Sequence, residues 1–374
     1  MEPSERRGAS GTRATRTLRS TYTTALIAAI LGTSIATPIL AFATEAVSTT
    51  PTSNTPYDIA LQAYKDGDYT TALLHSKMAG ATGNRDAQVL VGHILMNADD
   101  NMVDKDEAVK WFLRAAIAGH DDAMLALGEL ALASHGGLSA SDAVKWLTQA
   151  ANKGRTDAMR ALADIYIHGK GTPPNQSQAI SWLTKASTYG DNFANARLGD
   201  LLFDKDPVTA LTWYEKAADS GNFDAAYIAA IMYAENFDIK PNAAKVAKYL
   251  SQAAEAGIPA AQADYGLIVY QGNAVPRSAE RAAAWFKRAA LGGDPEGRYL
   301  YAYTLAKGDG ISKSYEDAYY WLLRAEHDSG KTGVEDYDTS RNELKQRLEQ
   351  NVDAAILQRA RTRAVSDNLM GTTQ

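Results

Sequence analysis

The chain has 374 residues, of which 45% are hydrophobic and 22% charged. Its 38 lysines and arginines against 44 aspartates and glutamates give a formal net charge of −6, which offers no basic footprint for nucleic acid. The absence of cysteine excludes disulfides, thiolate metal sites, cysteine nucleophiles and a lipid-modified amino-terminal cysteine.

Residues 1–20 hold Arg6, Arg7, Arg13, Arg16 and Arg19 against only Glu2 and Glu5, and an apolar run follows from Ala25 to Phe42. Ala41-Phe42-Ala43 then sets small residues at alternate positions, as signal peptidase requires. Residues 1–43 are therefore expected to be a signal peptide cleaved after Ala43, leaving a periplasmic or secreted chain with no stable membrane span. The competing reading is a retained anchor, which Pro38 and the small-residue end disfavour. Arg6-Arg7 lacks the apolar residues of a twin-arginine signal, so the general export route is expected. Residues 44–56, rich in Thr, Ser and Pro, read as a flexible linker.

Beyond residue 56 the chain repeats. Trp111, Trp146, Trp182, Trp213, Tyr249, Trp285 and Trp321 open related segments such as WFLRAAIAG and WLTKASTYG, and a degenerate copy opens at His75. Successive starts lie 36, 35, 36, 31, 36, 36 and 36 residues apart, a period that marks a helical solenoid. An alanine stands four residues after each anchor, and another three before it except at Val246. Steps of about 100° put positions −3, 0 and +4 on one helix face, where small residues let backbones approach and one ring fills the gap. Gly83, Gly119, Gly154, Gly190, Gly221, Gly257 and Gly293 follow eight residues after their anchors, and the last copy slips to Gly330. These glycines read as carboxy-terminal helix caps. Asp86-Ala87, Asp122-Ala123, Asp157-Ala158 and Asp224-Ala225 then open the next helices, their carboxylates matched to the positive helix end. Nine residues past each cap lies Gly92, Gly128, Ala163, Gly199, Ala230, Gly266 or Ala302, another close-packing position.

Each unit is thus helix, loop, helix, cap. The segments ALADIYIHGKG and AISWLTKASTYG resemble the Sel-one-like repeat family, a relative of the tetratricopeptide repeat. The resemblance covers about residues 57–330. It implies an all-α fold: an α/α right-handed superhelical solenoid of about eight helix pairs with a concave face. At the 31-residue interval the loop shrinks to DKDP, so a local change of curvature is expected there with the repeat retained. Residues 331–366 are expected to form a C-terminal capping helix pair. Ser340 and Glu343 would make a capping box before Leu344 and Leu348, and Asn351 would cap a second helix through Ile356 to about Val365. Residues 367–374 read as a disordered tail.

Chemistry is scarce. Six histidines show no HExxH spacing, there is no GxSxG elbow, and Gly169-Lys170-Gly171 lacks the spacing of a phosphate loop. Like Gly308-Asp309-Gly310, it reads as an ordinary inter-helix turn. No catalytic residue, metal ligand or cofactor is assigned, and the repeated tryptophans read as core. The informative residues lie six and ten positions after each cap glycine, on the side of the first helix away from its packing face. They run Leu125/Glu129, Arg160/Asp164 and Ala196/Asp200, then Tyr227/Ile231, Ala263/Leu267 and Tyr299/Tyr303. Tyr227, Ile231, Leu267, Tyr299 and Tyr303 are the expected partner-binding patch, against the plainer alternative that they pack on neighbouring helices. Arg160 and Arg197, beside Asp164 and Asp200, are expected to be solvated ion pairs or contacts to a partner's charged segment.

The expected function is an exported, non-enzymatic adaptor that binds a protein or peptide partner on the concave face. The resemblance implies envelope roles such as regulation or secretion of exopolysaccharide, polar organisation and host contact. A glycan-binding module of polysaccharide export is the second reading. A β-lactamase-like hydrolase, known among cysteine-rich relatives, is the third and is disfavoured by the missing cysteines.

Overall fold

A computed structural model describes residues 55–97, 103–235, 237–329 and 335–371. The expected signal peptide, nearly all of the linker and Gly330 lie outside these residues. Among the described residues there are eighteen helices and no strand. The helices follow one another as eight pairs and a terminal pair. The described residues divide into two compact units, one up to Leu201 and one from Leu202.

In the amino-terminal unit the helices are α1 Pro56–Lys65, α2 Tyr69–Ala81, α3 Arg85–Asn97, α4 Lys105–Ile117 and α5 Asp121–Leu132. They continue with α6 Ala140–Asn152, α7 Thr156–His168, α8 Gln176–Thr188 and α9 Asn192–Leu202. A reciprocal cap starts the first: the Asp58 N–H donates to Thr55, while the Thr55 N–H donates to the Asp58 carboxylate at 3.0 Å. From α1 to α8 each helix packs on its successor, the nearest-neighbour arrangement of a solenoid.

The carboxy-terminal unit contains α10 Pro207–Asp219, α11 Phe223–Ala234, α12 Ala243–Glu255, α13 Pro259–Gln271 and α14 Ala279–Leu291. It ends with α15 Pro295–Lys307, α16 Tyr315–Ser329, α17 Glu335–Asn351 and α18 Ala354–Gly371. Helices α10 to α16 again pack in order, and α16 also carries α18.

The seven cap glycines from Gly83 to Gly293 all adopt left-handed backbone, with φ between 87° and 100°. That conformation costs a residue with a Cβ about 1 kcal/mol or more, which explains the glycine at every repeat end.

The repeat core differs from expectation by one residue. Of the anchor rings, Tyr249, Trp111 and Trp146 are buried, while Trp182, Trp213, Trp285 and Trp321 are only half-buried. Cations cover several of them, with Arg114 at 4.6 Å from the Trp111 ring and Arg288 at 4.7 Å from that of Trp285. Except at the fully buried Tyr249, the deeper position is the next one: Phe112, Leu147, Leu183, Tyr214, Leu250, Phe286 and Leu322 are each at most 3% exposed. Phe112, Leu147 and Phe286 meet the glycines nine past the caps, Gly92, Gly128 and Gly266. A Cβ on Gly92 would lie 2.5 Å from the Phe112 ring, and one on Gly266 would lie 2.6 Å from that of Phe286. The half-buried Trp182, Trp213, Trp285 and Trp321 are therefore lids over their repeat junctions, and the neighbouring residue is the knob that fills each one.

The terminal pair also departs from expectation. Ser340 and Glu343 lie inside α17, which opens earlier, at Glu335, so they form no capping box. Asn351 ends α17, donating back to the Arg347 carbonyl at 2.8 Å. Asp353 caps α18 instead, accepting from the Ala355 N–H at 2.7 Å. That helix continues to Gly371, past Val365 and into the expected tail.

Candidate functional site

In the amino-terminal unit the variable positions are tied to neighbouring repeats. Arg160 on α7 donates to Asp191 at 2.8 Å, and Asp191 in turn accepts from the Phe193 and Ala194 N–H groups that open α9. Arg197 on α9 pairs with Asp164 on α7 at 2.8 Å and approaches Asp200 at 4.0 Å. Arg155 bridges Asp122 and Asp157 in the same manner. Arg197 makes the expected pairs with Asp164 and Asp200, whereas Arg160 turns from Asp164 to the buried Asp191, which also caps α9. The half-exposed pairs of Arg197 and Arg155 contribute about 0–1 kcal/mol each, so their main effect is registration of adjacent repeats.

The carboxy-terminal unit holds the other expected residues. Ile231 on α11, Leu267 on α13 and Tyr303 on α15 are half-buried, each presenting part of an apolar surface. Tyr299 is also half-buried, beside Ser340, Glu343 and Arg347 of α17. Tyr227 corrects the expectation. It is 7% exposed, and its hydroxyl donates to Asp264 on α13 at 3.0 Å. An aromatic residue six after the cap turns towards the next repeat when a carboxylate there accepts its O–H.

Asp264 is itself unusual. Burial, with the Asp294 carboxylate nearby, pushes its carboxyl up from 3.8 to about 7, although the Tyr227 hydroxyl works in the other direction. A raised carboxyl disfavours the charged form in the folded chain, so it costs stability as pH rises from the ordinary carboxylate value through about 7. Asp264→Asn keeps an acceptor for Tyr227 and carries no charge. Thermal melts should show the variant about 1–2 kcal/mol more stable than wild type near pH 8, with the difference vanishing near pH 4. A constant difference across that range would contradict this assignment.

Sequence reasoning missed a second cluster at the loop end of α13 and α15. The Tyr270 hydroxyl donates to Asp309 at 2.7 Å, and Lys307 donates to the same hydroxyl at 3.2 Å while lying 3.3 Å from Asp309. Lys307 also stands 5.6 Å over the Tyr303 ring, and Arg277 stands 5.8 Å over that of Tyr270. The Tyr270 bond and the two cations hold the Asp309 carboxyl below its ordinary value. The one signal in the sequence was spacing, since Tyr270 and Asp309 lie 39 residues apart, close to one period.

No candidate metal cluster occurs among the described residues, and none of their helices is long and apolar enough to cross a membrane.

The profile of the Sel1 repeat matches residues 85–120, 121–154, 156–191, 194–222, 223–258, 259–294 and 295–326. Among solved structures, a Sel1 repeat protein from Oxalobacter formigenes aligns with a TM-score of 0.54 at 23% identity. That alignment covers 81% of this chain and 98% of the other. A protective antigen of uropathogenic Escherichia coli with an SLR fold aligns over 82% of both chains, at 22% identity and a TM-score of 0.36. No curated protein matches the sequence.

Proposed function

The chain belongs to the Sel1 repeat family, and on that premise we propose that it is an exported, non-enzymatic scaffold for a protein or peptide partner. Export rests on the basic start, the apolar run and Ala41-Phe42-Ala43. The scaffold suits envelope roles such as regulation or secretion of exopolysaccharide.

One observation carries the binding reading. Ile231, Leu267 and Tyr303 occupy equivalent positions on α11, α13 and α15 and leave a half-buried aliphatic and aromatic strip. The equivalent positions on α5 and α7 are the charged, exposed Glu129 and Asp164. Apolar and tyrosine side chains at such positions are what interface centres favour, with affinity concentrated in a few of them.

Affinity capture from the protein's own envelope extract tests this, comparing wild type with Leu267→Asp, Tyr303→Asp. Circular dichroism would first establish equal helix content. The expected result is a specific partner whose capture falls by about tenfold or more in the variant. Equal capture by both chains would remove the strip, and no specific partner would remove the scaffold reading.

A further inference from the structure

The loop end of the same strip is basic in a chain that is acidic as a whole. Over residues 267–277 and 299–313 the charged residues are Arg277, Lys307 and Lys313, against Asp309 alone. Arg277 and Lys313 are repeat equivalents, 36 residues apart, each five residues after the left-handed glycine that ends its helix. Both are exposed.

Their positions are set by the backbone. A Cβ on Gly272 would lie 3.0 Å from the Arg277 Cβ, and one on Gly308 would lie 3.1 Å from the Lys313 Cβ. Each loop thus folds its basic residue back on the cap and leaves the head group outward. Arg277 donates through Nε to the Tyr270 carbonyl at 3.1 Å, and Lys313 donates to the Tyr315 hydroxyl at 3.1 Å. Neither makes an ion pair among the described residues. The one carboxylate of the cluster, Asp309, is already occupied by Tyr270 and Lys307. Two ordered cations are left at the end of the strip formed by Leu267 and Tyr303.

We infer that this edge receives an acidic segment of a partner protein, its carboxylates on Arg277 and Lys313 and its apolar side chains along Leu267 and Tyr303. This deepens the scaffold reading and rests on it. Tyrosine faces beside a guanidinium and ammonium groups suit a carboxylate chain that also carries apolar groups, because the rings cover those groups while the cations select the charge. The same cations repel basic segments, so they contribute specificity as well as affinity.

The test is selection of displayed random short peptides on the purified full chain. Synthetic versions of the selected sequences would then be measured by fluorescence anisotropy at low and high salt. The expected outcome is enrichment in Asp and Glu over the input library, with affinity about tenfold weaker against Arg277→Glu, Lys313→Glu and weaker again in high salt. Melting curves would establish that the variant stays folded, and the salt series reports on charge in the unaltered chain. Selected sequences without acidic enrichment, lost on Leu267→Asp, Tyr303→Asp but indifferent to charge reversal and salt, would overturn the acidic preference and leave the scaffold standing. Selection of no peptide at all, with polygalacturonate bound instead, would overturn both.

Discussion

Gly310→Ala should destabilise the last repeats by about 3–4 kcal/mol. Gly310 sits at φ 75°, and a Cβ there would fall on the backbone carbon and oxygen of Ala279, at the start of α14. Neither atom can rotate away as a side chain can. The left-handed backbone accounts for about 1–2 kcal/mol and the forced displacement for the rest. Gly257→Ala is the control, since φ there is 100° but a Cβ would meet nothing within 4 Å. It should cost only the backbone share. Urea denaturation would measure both, and hydrogen exchange should place the Gly310 loss in α14 to α16. Equal costs at the two sites would refute the interlocking of the loop with α14. Gly171, at φ 75°, makes the same approach to Ala140 in the amino-terminal unit.

The second large effect is expected at Glu215. Its Oε1 accepts from Lys245 at 2.8 Å and from the hydroxyls of Tyr233 and Tyr249 at 3.0 Å each, joining α10, α11 and α12. Tyr249 is fully buried, so losing this acceptor strands its hydroxyl away from water. Glu215→Ala should cost about 3 kcal/mol, and Glu215→Gln, which keeps one acceptor oxygen, about half of that. The pH dependence follows from the charge. Burial pushes the carboxyl up, but Lys245 and the two tyrosines more than offset it and hold the carboxyl below 4.5. A depressed carboxyl contributes stability at neutral pH, and that contribution is lost as pH falls through its folded value. Urea midpoints of wild type should therefore approach those of Glu215→Gln on acidification, since the protonated carboxyl keeps one acceptor oxygen for the tyrosines. A gap to Glu215→Gln that persists unchanged in acid would show that the ion is not what that variant removes.

The periodic features of the fold were legible because they answer to local rules. A left-handed turn admits glycine, and a close backbone contact admits alanine or glycine, so Gly83 to Gly293 and the alanine stripe declared the repeats. The inner core was legible only to within one residue. Trp111 and Phe112, or Trp285 and Phe286, are both large and apolar, and the 100° between them is decided by which faces Gly92 or Gly266 across the junction. The candidate site was less legible still. Tyr227 turns inward because Asp264, on a helix one repeat away, takes its hydroxyl. Tyr270 in the last turn of α13 meets Lys307 and Asp309 at the end of α15, and nothing local in either segment announces the other. At the end of the chain, Ser340 and Glu343 have the right spacing for a cap, but α17 had already begun.

The ion pairs and caps of the amino-terminal unit have a kinetic consequence. Its inter-repeat hydrogen bonds, such as Lys105 with His135, Asp86 with His120 and Lys153 with the Gly119 carbonyl, join residues 30 to 34 positions apart. Contacts this short in sequence require closure of small loops only, and chains built from them fold quickly. A nascent or translocating chain that has exposed two repeats already contains every partner its first repeat needs. This unit can therefore fold vectorially, at the pace of its emergence, with about one repeat of apolar surface uncovered at any moment.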